Sequence, residues 1–117
     1  MPPGGHSTLA QPTTRVVLFH APQAAPAKSL LAALSRPALT TVHASHPWRV
    51  LAALLAPGAA ACVVVLHEPG ALPNVAELLE AMGKYARHAK IWIFDAAASP
   101  ALRAATETDL ALLRRSE

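Results

Sequence analysis

Four apolar, β-forming runs of the sequence each stop at an ionisable residue. The junctions are Phe19-His20, Val42-His43, Leu66-His67 and Phe94-Asp95, with Glu68 next to the third. Because the carboxyl ends of parallel strands meet at one edge of a sheet, with neighbouring strands about 4.8 Å apart, these side chains are expected to lie close together. The sequence therefore predicts a polar binding pocket at the strand ends, formed by His20, His43, His67, Glu68 and Asp95.

Imidazole and carboxylate groups in one pocket are suitable ligands for zinc or iron. A site made by His20, His67 and Asp95, with one coordination position open, would be the centre of a metal-dependent enzyme. No Cys-x-x-Cys or His-x-x-x-His spacing supports that hypothesis. Two other interpretations stay open: a polar pocket without a metal, and histidines that only cap strands or face solvent. We expect no cofactor, and a divalent metal is the alternative.

The sequence carries none of the short motifs that bind nucleotides or activate a serine. It has no Gly-x-x-x-x-Gly-Lys phosphate loop, and no Gly-x-Gly-x-x-Gly follows a strand. A Gly-x-Ser-x-Gly elbow is also absent. No residue is therefore predicted to be catalytic.

The composition indicates one packed domain. Of the 117 residues, 53% are hydrophobic and 15% are charged, against roughly 25% charged in an average soluble domain. The net charge is +3, but the basic residues are dispersed and the only dibasic pair is Arg114-Arg115. With an aromatic content of 4%, the chain lacks the basic runs and stacking side chains of nucleic-acid-binding proteins. We expect no nucleic acid among its partners.

Three segments are relevant to the protein's cellular compartment and to whether it crosses a membrane. Residues 50–66 are uncharged, but Pro57-Gly58 divides them into a helix-forming half and a β-branched half, which fits a helix, a turn and a buried strand better than a membrane span. Residues 1–14 lack the apolar core of a secretory signal and are expected to form a flexible leader. The lone Cys62 lies in an apolar run and is expected to be a buried thiol, which fits a reducing compartment. We predict a cytoplasmic protein with no membrane partner.

Strands and helices alternate along the rest of the chain. Apolar runs predict strands at 15–20, 39–43, 61–66 and 91–95, and amphipathic patterns predict helices at 28–35, 46–56 and from residue 74. Ser99-Pro100 is expected to start a further helical segment, and 106–115 an amphipathic one. This alternation favours an α/β fold with a four-stranded parallel sheet, order 2-1-3-4, and helices on both faces. Ligands of such sheets bind where the connections reverse direction, here between strands one and three, beside His20 and His67.

Two helix starts carry capping signals. Ser45-His46-Pro47 offers a capping residue followed by a proline in the first turn, and Asn74 with Glu77 is close to a capping box. The alternating elements form an α/β domain at 15–98, after the leader at 1–14 and before a C-terminal helical segment at 99–117.

The layout of these strand ends resembles the receiver domains of two-component response regulators, which have a flavodoxin-like fold. Val16-Val17-Leu18-Phe19-His20 is similar to the first strand of that family, and Ile91-Trp92-Ile93-Phe94-Asp95-Ala96 looks like its fourth. Val63-Val64-Val65-Leu66-His67, followed by Pro73 and Glu77-Leu78-Leu79, is similar to its third strand and the helix after it. The resemblance covers about residues 14–98 and rests on layout more than on motifs.

Receiver domains place acidic residues at the end of strand one and the phosphoacceptor aspartate at the end of strand three. A Thr or Ser ends their strand four, and a lysine ends their strand five. Here His20, His67 and Asp95 stand at the first three of these places, and the chain is expected to end before a fifth strand. The resemblance therefore implies a truncated pseudo-receiver, a signalling scaffold retained for protein binding and without phosphotransfer chemistry.

The C-terminal segment and the sheet edges indicate how such a scaffold would bind. Leu110, Leu112 and Leu113 form an apolar stripe that either packs on the sheet or docks as a short helix in a partner's groove. A four-stranded sheet leaves two open edges, and Trp92 near one of them would support self-association. We therefore expect a non-catalytic protein-binding or regulatory module. A metal-dependent enzyme and a structural dimerisation unit are the alternatives.

Overall fold

The computed structural model describes residues 13–95 and 99–115. Within those residues the chain forms five strands, four α-helices and one 3₁₀ turn. In chain order they are β1 (Thr14–Phe19), α1 (Lys28–Leu34), β2 (Leu39–Ala44), α2 (Pro47–Leu55), β3 (Ala61–His67), the 3₁₀ turn (Pro69–Ala71), α3 (Val75–Tyr85), β4 (Lys90–Asp95), β5 (Ser99–Ala104) and α4 (Glu107–Arg115). The predicted leader at 1–14 lies outside the described residues as far as residue 12, and Thr14 already belongs to β1.

The five strands form one mixed sheet in the order β2-β1-β3-β4-β5. The first four strands are parallel to their neighbours, whereas β5 pairs antiparallel with β4. The predicted α/β class is therefore confirmed. The first four strands keep the relative order 2-1-3-4, but the prediction of a four-stranded, wholly parallel sheet is wrong because a fifth strand extends it.

The segment 99–104 departs furthest from the predicted elements. The sequence predicts a helix from Ser99-Pro100 and no fifth strand, and both predictions are wrong, since this segment is β5. Without β5, the outer edge of β4 would expose a row of unpaired backbone N–H and C=O groups. Proline is tolerated here because an outermost strand needs its donors on one side only. The predicted C-terminal helical segment thus begins with a strand, and helix is confined to α4.

The strand β3 lies in the middle of the sheet, and Val64, Val65 and Leu66 are each no more than 1% exposed. This agrees with the prediction of a central strand covered on both faces. The two faces are nevertheless covered unequally. In the described part of the chain, α2, α3 and α4 pack on one face, called here the three-helix face, and α1 alone packs on the other, the one-helix face.

The larger core lies on the three-helix face. Its strand side chains pack against α2 and α3, and the main contributors are Val17, Phe19, Val64, Leu66, Ile93, Val50, Leu54, Leu78, Leu79 and Met82. The core of the one-helix face consists of Val16, Leu18, Leu30, Leu34, Val65 and Phe94. Because α1 buries only Leu30 and Leu34, the apolar side chains at the margin of this face stay partly exposed. They are Val63, Trp92 and Leu102.

Both ends of α2 are held by side chains. The Nδ1 atom of His46 accepts a hydrogen bond from the backbone N–H of Trp48 at 3.2 Å and caps the first turn, one residue after Ser45, the residue type that is preferred at a helix start. At the other end the guanidinium of Arg15 donates to three carbonyl oxygens at 3.1, 2.6 and 2.9 Å, those of Ala53, Ala56 and Pro57. The first strand is thereby tied to the end of the helix that precedes β3.

The capping box predicted for α3 is wrong, and one forms at α4 instead. Asn74 has a left-handed backbone (φ +53°) and its side chain makes no capping hydrogen bond. At α4, Thr106 Oγ1 accepts from the N–H of Asp109 at 3.2 Å, and Asp109 Oδ2 accepts from the N–H of Thr106 at 2.8 Å. Arg103 of β5 donates two further hydrogen bonds to Asp109, at 2.6 and 3.1 Å. The Arg103 bonds, helped by Thr106, hold the pKa of Asp109 well below its ordinary value.

The uncharged stretch at 50–66 divides as predicted, into most of α2, a turn and most of β3. Cys62 is a free thiol and is buried in β3, as predicted, with its Sγ 3.7 Å from the carbonyl oxygen of Leu54. Across residues 13–95 and 99–115, no helix has the length and apolar character needed to cross a bilayer.

Two neighbouring leucines of α2 are expected to differ in their contribution to stability. Leu54 is 1% exposed, whereas Leu55 is 50% exposed. Leu54→Ala leaves a cavity in the core and is expected to lower the free energy of unfolding by about 2–5 kcal/mol. Leu55→Ala is expected to change it by about 0.5 kcal/mol or less. Urea denaturation at neutral pH measures both, and equal losses would contradict this orientation of α2.

Candidate functional site

The carboxyl ends of β1 and β3 meet where the chain connections reverse direction. From β1 the chain passes to β2 on one side, and from β2 it returns to β3 on the other. Phe19 pairs with Leu66, so the residues that follow them, His20 and His67, lie next to each other at this switch point. Ligands of open α/β sheets bind at this position.

The strand register decides which face each histidine takes. Paired residues of neighbouring strands share a face of the sheet. His43 pairs with Leu18, and His67 pairs with Phe94. Since Leu18 and Phe94 belong to the core of the one-helix face, His43 and His67 lie on that face, at the carboxyl end of the sheet. His20 reaches the same corner through its contact with His43.

His20 and His43 are joined by a hydrogen bond between their rings. The Nε2 atom of His20 and the Nδ1 atom of His43 are 3.3 Å apart, and the rings meet edge to face with centroids 5.4 Å apart. The Nδ1 atom of His20 lies 3.0 Å from the carbonyl oxygen of Ala21. Because a carbonyl oxygen only accepts, this Nδ1 carries a proton, and in the neutral ring Nε2 presents a lone pair to His43.

His67 is more enclosed than the other two histidines. It is 5% exposed, and its ring stacks on Phe94 with centroids 5.9 Å apart. Its Nδ1 atom is buried and has no hydrogen-bond partner among the described residues. Burial lowers the pKa of His67 below its ordinary value; Glu68 opposes the shift and His20 adds to it. The imidazole of His67 is therefore neutral at neutral pH.

Asp95 lies apart from the histidines. His67 pairs with Phe94, so Asp95 is one position further along β4, where side chains take the opposite face. Asp95 lines a cleft beside α4 and acts on the charge of Arg103. Glu68 follows His67 with a left-handed backbone (φ +50°), and its N–H donates to the carbonyl oxygen of Phe94 at 2.8 Å. Of the five residues predicted to form the pocket, Asp95 is thus lost from this face and the three histidines are kept, with Glu68 close enough to act on the charge of His67.

The metal hypothesis can be compared with this geometry. Within residues 13–95 and 99–115, no three His, Cys, Asp or Glu side chains are arranged so that they could hold a metal ion together. The combination of His20, His67 and Asp95 therefore gains no support from the structure. Alternation along β4 is the physical reason, because it directs Asp95 away from the other two.

Two of the three leucines in the C-terminal stripe pack against the protein's own core. Leu110 and Leu113 pack against the core of the three-helix face, and Leu112 is 58% exposed. Trp92 is half-buried on the one-helix face, and β5 covers the edge of β4 on which Trp92 was expected to lie. Leu110 and Leu113 are thus used for packing, whereas docking through the exposed Leu112 and self-association through Trp92 stay predictions.

An open groove between α1 and β2 is the feature that sequence reasoning missed. It has a volume of about 570 Å³ and is lined by Leu31, Leu34, Ser35, Arg36, Pro37, Leu39, Thr41 and His43. Two signals in the sequence point towards it. The order 2-1-3-4 already makes β2 an outermost strand, and the prolines on either side of α1 limit that helix to two turns.

The chain has no detectable counterpart among the proteins with which it was compared: no protein-family model, no curated protein and no solved structure matches it.

The stability contributed by His67 is expected to depend on pH. The pKa of His67 in the folded chain lies below the ordinary 6.5. Between pH 6.5 and that lower pKa, the unfolded chain therefore binds more protons than the folded chain does, and the free energy of unfolding decreases as the pH falls through this range. His67→Phe keeps a ring against Phe94 and removes the titration. Its free energy of unfolding is expected to fall less than that of the unmodified chain between about pH 7.5 and pH 5.

Denaturant unfolding at several pH values measures this difference. His88→Gln is the matched control, because it removes an exposed histidine at the other end of the sheet while the glutamine amide can still donate to the carbonyl oxygen of Leu54, as His88 Nε2 does at 3.3 Å. Its stability is expected to fall with pH as steeply as that of the unmodified chain. A His67→Phe chain whose stability falls with pH as steeply as that of the unmodified chain would show that His67 is not buried in a neutral form.

Proposed function

We propose that this protein is a non-catalytic, receiver-like module that binds an extended segment of a partner protein along β2. The observation that carries the proposal is the open groove of about 570 Å³ between α1 and the outermost strand. A segment lying in it would add a strand to the sheet and cover the apolar side chains of α1 that face the groove.

Alternate residues of β2 direct their backbone groups to the open edge. The carbonyl oxygen of Ala44 accepts from the N–H of His20 at 3.0 Å, so Ala44 points towards β1. Backbone direction alternates along a strand, and Thr41 and His43 therefore point their N–H and C=O groups away from β1. Since β2 is the last strand on that side of the described sheet, these groups are in position to pair with an added strand.

The walls of the groove favour a partner of particular chemistry. Leu31 is 38% exposed, and Leu39 is half-buried beside it. Arg36 is exposed at the same groove, and none of the described lining residues carries a carboxylate. A matching segment would alternate apolar side chains for the leucines with a carboxylate that accepts hydrogen bonds from the Arg36 guanidinium.

The layout of the first four strands supports the receiver-like part of the proposal. They are parallel and place His20 and His67 on either side of the switch point. The antiparallel β5 is a departure, because the resemblance implies a chain that ends before a fifth strand. Because His20, His67 and Asp95 are not the residue types that phosphotransfer requires, the module would act by binding and not by chemistry.

Thr41→Pro is expected to weaken binding of an added strand without disturbing the pairing of β2 with β1. It removes one N–H that points to the open edge, and Thr41→Val keeps that N–H as the matched control. Peptides selected from a random phage-displayed library against the unmodified chain serve as the probe. We expect them to alternate apolar residues with an acidic one, and to bind Thr41→Pro at least about tenfold more weakly than Thr41→Val.

Two outcomes would contradict the groove as the binding surface. One is a selection that returns no peptide, and the other is a set of peptides that bind both Thr41 variants equally well. A second copy of this chain is the competing occupant of β2. Sedimentation equilibrium at high micromolar concentration detects that arrangement as a dimer, which the Thr41→Pro substitution would dissociate. Such a dimer would show that β2 binds a second copy of this chain and not a partner protein.

Acetyl phosphate is expected to leave the protein unlabelled. An aspartate phosphoacceptor is not present at the end of β3, where His67 stands, and the neutral imidazole of His67 is 5% exposed. Intact-mass spectrometry with a functional receiver domain as the positive control measures the labelling. Acid-labile phosphate that appears on the chain and is lost in a His67→Ala variant would overturn the non-catalytic assignment.

A further inference from the structure

We propose that His20 and His43 form a two-histidine site for a tetrahedral zinc ion at the carboxyl end of the one-helix face. The site uses two ring nitrogens that already face each other across the ends of β1 and β2. It differs from the three-ligand combination of His20, His67 and Asp95. Its ligands are side-chain nitrogens and it requires no backbone group of β2, and His43 is the one residue that it shares with the lining of the peptide groove.

The separation of the two nitrogens is the first argument. His20 Nε2 and His43 Nδ1 are 3.3 Å apart. Two imidazole nitrogens bound to zinc at about 2.0–2.1 Å, with a tetrahedral angle between them, lie about 3.3–3.4 Å apart. Neighbouring ligands of a square-planar ion at the same bond length would lie only about 2.9 Å apart. The pair therefore fits tetrahedral coordination without a change in the distance between the rings.

The orientation of His20 is the second argument. Its Nδ1–H donates to the carbonyl oxygen of Ala21 at 3.0 Å, so the lone pair of the neutral ring is on Nε2, the atom that faces His43. Metal-bound histidines characteristically donate their other ring N–H to a carbonyl or carboxylate, which fixes the tautomer and the ring orientation. His20 thus has the arrangement of a metal ligand before any metal binds.

His43 supplies the second lone pair by a change of tautomer. In the neutral pair its Nδ1 proton is donated to His20 Nε2. Zinc takes the place of the Nδ1 proton of His43. That proton moves through solvent to Nε2 of the same exposed ring, so the charge of the ring does not change. Each lone pair then points roughly 35° away from the line joining the two nitrogens. The exposed ring of His43 has room for this tilt, whereas the half-buried ring of His20 must make it while keeping its hydrogen bond to Ala21.

Two protein ligands leave two positions of the tetrahedron for water or for an oxygen or nitrogen donor of a bound molecule. Binding is therefore expected to be weaker than at structural sites with four protein ligands. With only two protein ligands the site is more open than catalytic zinc sites, which have three, and a zinc ion held there would be able to polarise a ligand that reaches it.

Isothermal titration of the full chain with Zn²⁺, without a histidine tag and at neutral pH, tests the site. We expect one zinc per chain at this site, and at least tenfold weaker binding in His20→Gln and in His43→Gln. His88→Gln is the matched control and is expected to bind as the unmodified chain does. His6→Gln is needed as well, because His6 lies outside the described residues and its own affinity for zinc must be separated.

The imidazole nitrogens give a second readout that does not depend on affinity. In ¹⁵N spectra, zinc is expected to shift Nε2 of His20 and Nδ1 of His43, while Nδ1 of His20 keeps its proton. If His20→Gln folds poorly, the exposed His43→Gln carries the test alone, with circular dichroism as the check on folding. Zinc binding that survives both glutamine substitutions, that disappears in His6→Gln, or that is not detected at all would overturn the proposal.

Discussion

The pairing of β1 with β3 is the interaction on which the rest of the molecule depends. β1 contributes Val17 to the core of the three-helix face and Leu18 to that of the one-helix face, and both are fully buried. The same register places His20 beside His67 and creates the switch point between the two strands. A shift by one residue would move every side chain of β1 to the other face. The two cores and the histidine corner therefore depend on one register.

Unequal covering of the sheet is the second constraint, and the candidate binding features lie where the covering is thinnest. In the described part of the chain, α1 is the one helix on its face, and it has seven residues because prolines flank it at Pro26 and Pro37. The open groove, the free edge of β2 and the facing rings of His20 and His43 all lie beside this short helix. Backbone groups and apolar side chains that a fold leaves uncovered are natural places for a partner to bind.

The strands and helices predicted from hydrophobic periodicity agree with the structure from β1 to β4, usually to within one or two residues. The segment at 99–104 does not, because its local sequence favours a helix and its strand conformation is imposed by the open edge of β4 beside it. The prediction that Asp95 joins the histidines is wrong for a related reason. Its position in the chain predicts a strand end, but the β3–β4 register decides which face it takes. A resemblance based on layout cannot detect either effect.

Local patterns in the chain are enough to predict the α/β class, the central position of β3, the burial of Cys62 and the histidines where three strands end. These follow from local periodicity and from the rule that apolar runs are buried. Three outcomes required the folded arrangement: that β5 is a strand, that Asp95 lies apart from the histidines, and that His20 Nε2 and His43 Nδ1 face each other at 3.3 Å. Those outcomes depend on how separate strands align, and the free energy that fixes their alignment comes from contacts between residues far apart in the chain.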